Sequence, residues 1–346
     1  MTTALDISRQ FNEEVVLPLV RRHHGGLVDD IAVGVAGTGS DVLNLDDEIS
    51  RDHHWGPRAV ILLPDDLAGR HAEPIRRTLL AHAPKTYQGY PVHHDRANRT
   101  AVCVDGIHSY FKWFLGTEEL PSCAEDWFAL CETDLLHVTA GEVFHDPSGQ
   151  WSAIRRKLAF YPDRVWRKRI ADWCMYVTGR DAPYNLHRVS RRGDDVASAL
   201  YFGQTLRRVM ELVFAIERRY SPYPKWQHRV LCTLDGCGPT VVALLDEVMS
   251  TTDWRARVDG LIRINHVCAH RLHEIGMTGP PEIKPFDDGL TDLTLYGSAR
   301  EIYAGLPEAW REMSFNQIDS WEKMARLVLF DSGDYFVEKF GSDDAS

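Results

Sequence analysis

The chain has 346 residues, with 39 Lys+Arg against 50 Asp+Glu and a formal net charge of −11 when histidines are neutral. Hydrophobic residues at 44% and charged residues at 26% exclude a disordered chain, and the length suffices for two domains with separate cores. The acidic balance, without a Lys/Arg block, excludes nucleic acid as the main partner; no apolar run of about 18 residues and no basic-then-apolar leader is present, so the expectation is a cytoplasmic protein without a membrane span.

Residues 8–23 carry Phe11, Val15 and Leu19 at helical spacing and predict a helix that Pro18 kinks or ends early. Two short apolar runs, within 27–37 and 59–64, are rich in Val and Ile, bounded by Gly and Pro, and predict buried strands. Residues 65–83 predict a helix with a proline interruption, 99–106 a third strand, and 107–115 an aromatic helix. The segment Gly116–Pro121 is the expected boundary, giving an α/β domain over 1–118 and a mainly helical domain over 119–340. In the second, residues 195–219 predict a long helix with Val196, Leu200, Leu206, Val209, Val213 and Ile216 on one face. Residues 167–177 and 254–275 are read as further helices, and the last residues as a frayed tail. The seven cysteines, scattered among apolar neighbours, are read as reduced thiols. Only Cys232 and Cys237 lie close together, and without a second Cys/His pair they do not make a zinc site.

The chemistry concentrates in GTGSDVLNLDDEISRDHHWGPR, residues 37–58, between the first two strands. A Gly39-Ser40 turn can offer backbone N–H groups and a hydroxyl to phosphate oxygens, because glycine permits close approach. Carboxylates nearby could hold Mg²⁺ against the same phosphates, the pattern of a hard cation with oxygen ligands, and the ion would neutralise charge that develops during nucleotidyl transfer. Arg58 could pair with Asp52 or reach the phosphates. Asp46, Asp47 and Glu48 could equally cap a short helix.

A Gly-Ser turn followed at this distance by an Asp-x-Asp pair resembles the signature of the nucleotidyltransferase superfamily, which includes kanamycin nucleotidyltransferase; eleven residues separate Ser40 from Asp52. With HVTAGEVFHDPSG, IRRKLAFYPDRVW and ERRYSPYPKW following in order, the chain is similar to a bacterial family of unknown function. Its members carry a nucleotidyltransferase-like domain followed by a helical domain. The resemblance implies an α+β architecture with a small mixed sheet and a site in the cleft between domains. It implies a nucleoside triphosphate as substrate, held by Gly39, Ser40 and Arg58 with Lys225 and Tyr223 from the helical domain. A nucleotidyl group would pass to a small-molecule hydroxyl or amine. The metal would be held by Asp52 with Asp47 or Asp105, and Glu142 is a candidate base.

The pattern departs from the superfamily at His54, which stands where the second aspartate is expected. Imidazole is a poor replacement for carboxylate on Mg²⁺, and suits Mn²⁺ or Zn²⁺ better. His54 would complete the metal shell or carry a proton. Two alternatives follow: a nucleotide-binding or regulatory protein without catalysis, or a metal-dependent enzyme using Asp52 and His54 for non-nucleotidyl chemistry. The Asp-His-His triplet also marks a phosphoesterase family with two manganese ions, but there it follows directly from a strand and here it follows a polar loop. The sequence says nothing of the oligomeric state.

Overall fold

The computed structural model describes residues 3–52, 55–92, 102–117, 119–179, 183–283 and 292–317. Helix α1, Ala4–Phe11, starts at Thr3, whose hydroxyl accepts from the Asp6 amide while the Asp6 carboxylate accepts from the Thr3 amide. The expected break at Pro18 is instead one π-helical turn, Asn12–Val16, after which α2, Leu17–His24, carries Pro18 in its first turn. The π turn, in which the Leu17 amide reaches back five residues to the Asn12 carbonyl, is where the helix takes up the proline.

Strand β1 is Ala32–Val35 and β2 is Ala59–Leu63; α3, Asp65–His82, runs through Pro74 without the expected interruption. A short hairpin of β3, Thr86–Tyr87, and β4, Tyr90–Pro91, precedes β5, Val102–Gly106, and α4, Ile107–Leu115. Helix α5, Ala124–Ala129, and helix α6, Glu132–Thr139, lead to β6, Glu142–His145, and α7, Gln150–Leu158.

The main sheet has the order β5-β2-β1-β6. Strand β1 is antiparallel to β2, with Gly34 opposite Val60, and antiparallel to β6; β2 is parallel to β5, with Leu62 opposite Asp105. Alternation along each strand separates two faces. Ile31, Val33, Ala59, Ile61, Leu63 and Val102 pack against Phe11, Val16, Val20, Ile75 and Leu79 from α1 to α3. Each such buried side chain contributes about 1.5–3 kcal/mol, so this face dominates the sheet's stability. On the other face Trp151 of α7 packs against Gly34, and its ring meets Tyr110 of α4 at 6.3 Å.

The described residues fall into two compact units, one within Met1–Ser122 and Leu130–Ala159, the other comprising Cys123–Ala129 and Phe160–Asn316. The boundary expected at 118/119 therefore needs correction: residues 130–159 return to the first unit, because β6 supplies an edge strand to β1. Gly141 permits that pairing, since with φ +78 a Cβ there would collide with the Val35 carbonyl.

The second unit is helical: α8, Asp163–Gly179; α9, Tyr184–Arg191; α10, Asp195–Ile216; α11, Pro224–Leu231; α12, Gly238–Ser250; α13, Trp254–Glu274; and α14, Thr294–Ala304. Helix α8 packs on α10 and α14, and α12 on α13. The long helix was expected to bury Val196 and Leu200, yet both are exposed; the buried stripe is Ser198, Phe202, Thr205, Val209, Leu212 and Ile216. That spacing alternates four and three residues, and toward the C-terminus Glu211, Val213, Phe214 and Ala215 are buried as well, so the last turns are covered all round. Among the described residues no helix is long and apolar enough to cross a membrane.

Candidate functional site

The Gly-Ser turn leaves the end of β1 and is shaped by two glycines with positive φ, +101 at Gly37 and +135 at Gly39. The Gly37 amide donates to the His137 carbonyl at 2.8 Å, docking the turn on α6. After Ser40 the chain closes on itself: the Leu45 amide donates to the Ser40 carbonyl at 2.9 Å and the Asn44 amide to the Asp41 carbonyl at 3.0 Å.

Arg58 occupies the inside of this turn. Its Nη1 donates to Asp41 Oδ2 at 2.7 Å, Asp41 Oδ1 at 3.0 Å and the Thr38 carbonyl at 3.0 Å; Nη2 donates to the Ala36 carbonyl at 3.4 Å. Asp41 is 3% exposed and the Arg58 side chain 17%. Burial works against the Arg58 charge, but the attraction and hydrogen bonds of Asp41 outweigh it and hold the guanidinium above its ordinary pKa. Among the described residues the carboxylate partner of Arg58 is Asp41, and both of its terminal nitrogens are engaged by the turn itself; a pairing with Asp52 falls outside the described side chains.

Helix α1 fixes the start of β2. Ser8 Oγ accepts from the Arg58 amide at 3.1 Å and donates to the Gly56 carbonyl at 3.3 Å; Asn12 Nδ2 donates to the Arg58 carbonyl at 2.8 Å. Trp55 packs beside Ala4 and Ile7 with its ring 4.3 Å from that of Tyr90.

The loop carboxylates are tied into local structure through one oxygen each in the bonds described, and Asp46 Oδ1 is buried with no partner among the described residues. Asp46 Oδ2 accepts from the Ala4 amide at 2.9 Å and Trp55 Nε1 at 2.8 Å, which ties the loop to the start of α1. Asp47 Oδ1 accepts from the Ile49 amide at 3.1 Å, and from the Ser50 amide and hydroxyl at 3.0 Å each. It caps the 3₁₀ turn Ile49–Asp52, as the alternative reading of this acidic run anticipated. Asp52 closes that turn. Its side chain and all of His54 lie outside the described residues.

Asp105 and Glu142 lie differently to the turn: Glu142 sits opposite Val35, where the turn leaves β1, and Asp105 does not. Asp105 sits opposite Leu62, whereas the Gly-Ser turn leaves the sheet near Arg58, four residues back along β2. That is roughly 13 Å at a rise of about 3.3 Å per residue. Its Oδ1 accepts from the Gly106 amide at 2.7 Å. Glu142, the candidate base, takes Arg9 as a two-pronged partner, Nη2 at 2.6 Å and Nε at 3.1 Å. That hydrogen bonding raises the Arg9 pKa. Arg155 Nη2 donates to the carbonyls of Thr139 at 2.6 Å, Gly141 at 2.9 Å and Ala140 at 3.2 Å, closing the end of α6. Burial pulls the Arg155 guanidinium below its ordinary pKa.

Lys225 and Tyr223 belong to the second unit. Tyr223 precedes α11, and the exposed Lys225 ammonium lies 5.6 Å from its ring centre and 5.5 Å from that of Trp226. Among the described residues no group of three or more His, Cys, Asp or Glu is placed to hold a metal ion. The inward clamp of Arg58 and Asp41 was missed from sequence. Its one available signal was Asp directly after the Gly-Ser pair with Arg directly before the next strand.

A profile of the Domain of unknown function (DUF4037) matches residues 127–227, from α5 to α11, and stops short of the Gly-Ser turn. No curated protein matches the chain. A solved structure of a nucleotidyltransferase-like protein from Exiguobacterium sibiricum 255-15 is similar, at 11% identity and TM-score 0.34, covering 83% of this chain and 88% of that one. A likeness at that level leaves the site to be read from this chain's own geometry.

Proposed function

We propose that the protein is nucleotidyltransferase-like: a nucleoside triphosphate binds at the Gly39–Ser40 turn, and its nucleotidyl group passes to a hydroxyl or amine of a small molecule. The acceptor atom bonds to the α-phosphorus and loses its proton, the α–β bridging bond breaks, and pyrophosphate leaves. One observation supports this most. The Gly39 amide has no acceptor among the described residues, at a glycine turn leaving a buried strand of a mixed sheet. Amides and hydroxyls so placed suit phosphate oxygens. The small acceptor rests on the net charge of −11, which disfavours RNA.

A divalent ion, Mg²⁺ or Mn²⁺, or Zn²⁺ through His54, is part of the proposal, with Asp52 and His54 as its holders. Asp47, which caps a turn through one oxygen, and Asp105, at the far end of β2 from the turn, are the further candidates the proposal keeps for this shell. No step is assigned to the ion. The exposed Lys225, with Tyr223 beside it, is proposed as a triphosphate contact of the second unit by itself. The tie of Asp47 to its turn favours a second reading, a nucleotide-binding protein that does not turn its ligand over.

Calorimetry with the four nucleoside triphosphates and each metal, beside pyrophosphate release across hydroxyl and amine acceptors, separates the two. Binding with release supports the transferase; binding without release under any metal supports the second reading. No binding at millimolar concentration overturns both. Ser40→Ala and Lys225→Ala should each weaken binding.

A further inference from the structure

We propose that Arg58 and Asp41 are a positioning pair that sets the Gly-Ser turn in its phosphate-accepting shape, with Arg58 acting through the backbone rather than as a ligand. The inference rests on the proposed nucleotide site and adds the device that organises it.

A trans peptide points its C=O and N–H in opposite directions. Arg58 draws the carbonyls of Ala36 and Thr38 toward its guanidinium, at 3.4 and 3.0 Å. The amides sharing those peptide planes, Gly37 and Gly39, must then face away from it. The first meets the His137 carbonyl, and the second is left with no acceptor among the described residues. A single side chain thus sets the direction of the donor on which the site depends.

The guanidinium is itself held from two sides. Ser8 and Asn12, both fully buried, fix the Arg58 backbone amide and carbonyl, while the buried Asp41 fixes the side chain. Paired in this way, Arg58 has its charge neutralised inside the turn and is poorly suited to contact phosphate directly. Glycine at 39 serves the same arrangement: a Cβ there would strike the Asp41 carboxylate and lie 3.0 Å from Arg58 Nη1.

The test is triphosphate affinity, measured by calorimetry with ATP, CTP, GTP and UTP plus Mg²⁺ or Mn²⁺, on wild type, Arg58→Lys, Arg58→Met and Asp41→Asn. The control is Leu79→Ala, which removes packing on the opposite face of the sheet. All are measured well below their melting temperatures. The three turn variants should lose affinity by about tenfold or more, because a lysine or methionine cannot hold the Ala36 and Thr38 carbonyls and Asp41 together as the two guanidinium nitrogens do, and asparagine loses the charge that fixes them. Leu79→Ala should melt earlier yet bind as wild type does. Should the Arg58 variants fail to fold, Asp41→Asn, equal in shape, carries the test alone. Retained affinity in Arg58→Lys would make Arg58 a simple charge and overturn the positioning role, as would unchanged affinity in Asp41→Asn. A silent wild type overturns the nucleotide site and the positioning role with it; a binding wild type with unaffected variants overturns only the latter.

Discussion

Lys168 of α8 is 1% exposed, and its ammonium lies 2.5 and 2.7 Å from the two carboxylate oxygens of Asp172, one turn further along the helix. The same nitrogen donates to the Met313 carbonyl at 2.8 Å, and the Tyr303 hydroxyl donates to Asp172 at 2.5 Å. Burial raises the Asp172 pKa and Lys168 opposes the rise. Lys168→Met leaves that carboxylate buried without its cation, and the expected cost is about 3–5 kcal/mol. The double variant Lys168→Met/Asp172→Leu should recover most of the loss. Urea unfolding of the three proteins measures this, and a single variant as stable as wild type contradicts it.

Asp47→Ala removes a turn cap and should cost about 1 kcal/mol, with divalent-ion affinity unchanged. A collapse in ion binding, followed by titration with Mn²⁺, would return Asp47 to the metal shell.

Glu142→Gln weakens an ion pair in which both side chains are more than a third exposed, at 38% and 40%, so stability should fall by less than about 1 kcal/mol. In a preparation that releases pyrophosphate, the rate should be nearly preserved, whereas a general base would lose about a hundredfold or more.

Glu217 of the second unit accepts from Arg271 at 3.0 Å on both oxygens and from the Cys237 amide at 3.0 Å. Burial raises its pKa, but the hydrogen bonds from Arg271 and Cys237 win, and the folded value lies below the ordinary 4.5. Its stabilising contribution is complete above that ordinary value and is lost as pH falls through the lower folded one. Unfolding of wild type should therefore become easier below pH 4.5, and Arg271→Met should flatten that slope. Identical slopes in the two proteins would refute the linkage.

Much of the fold was legible because the signals were local. The runs at 27–37 and 59–64 are short, Val/Ile-rich and bounded by Gly and Pro, and both became strands. Strand β6 was not legible: four half-buried residues carry no strong alternation, and only the distant Val33–Val35 edge makes them a strand. The stripe of α10 was misread at its N-terminal end because Val196 and Leu200 are apolar by type yet stand in solvent. At the site, the Gly-Ser turn was readable from residue type and neighbouring strands. The partners of Asp46, Asp47 and Arg58 were not, since sequence spacing does not say which amide a carboxylate will meet.

Because β6 pairs with β1, the first unit draws on chain from both sides of the Cys123–Ala129 segment of the other unit. During synthesis β1 must wait, one edge unpaired, until the ribosome has released the segment through Ala159. An open strand edge is a template for other chains. A fragment cut at the Gly116–Pro121 segment lacks β6 and leaves the β1 edge bare, whereas a chain extending through Leu130–Ala159 covers it and leaves the half-buried β6 as the edge instead.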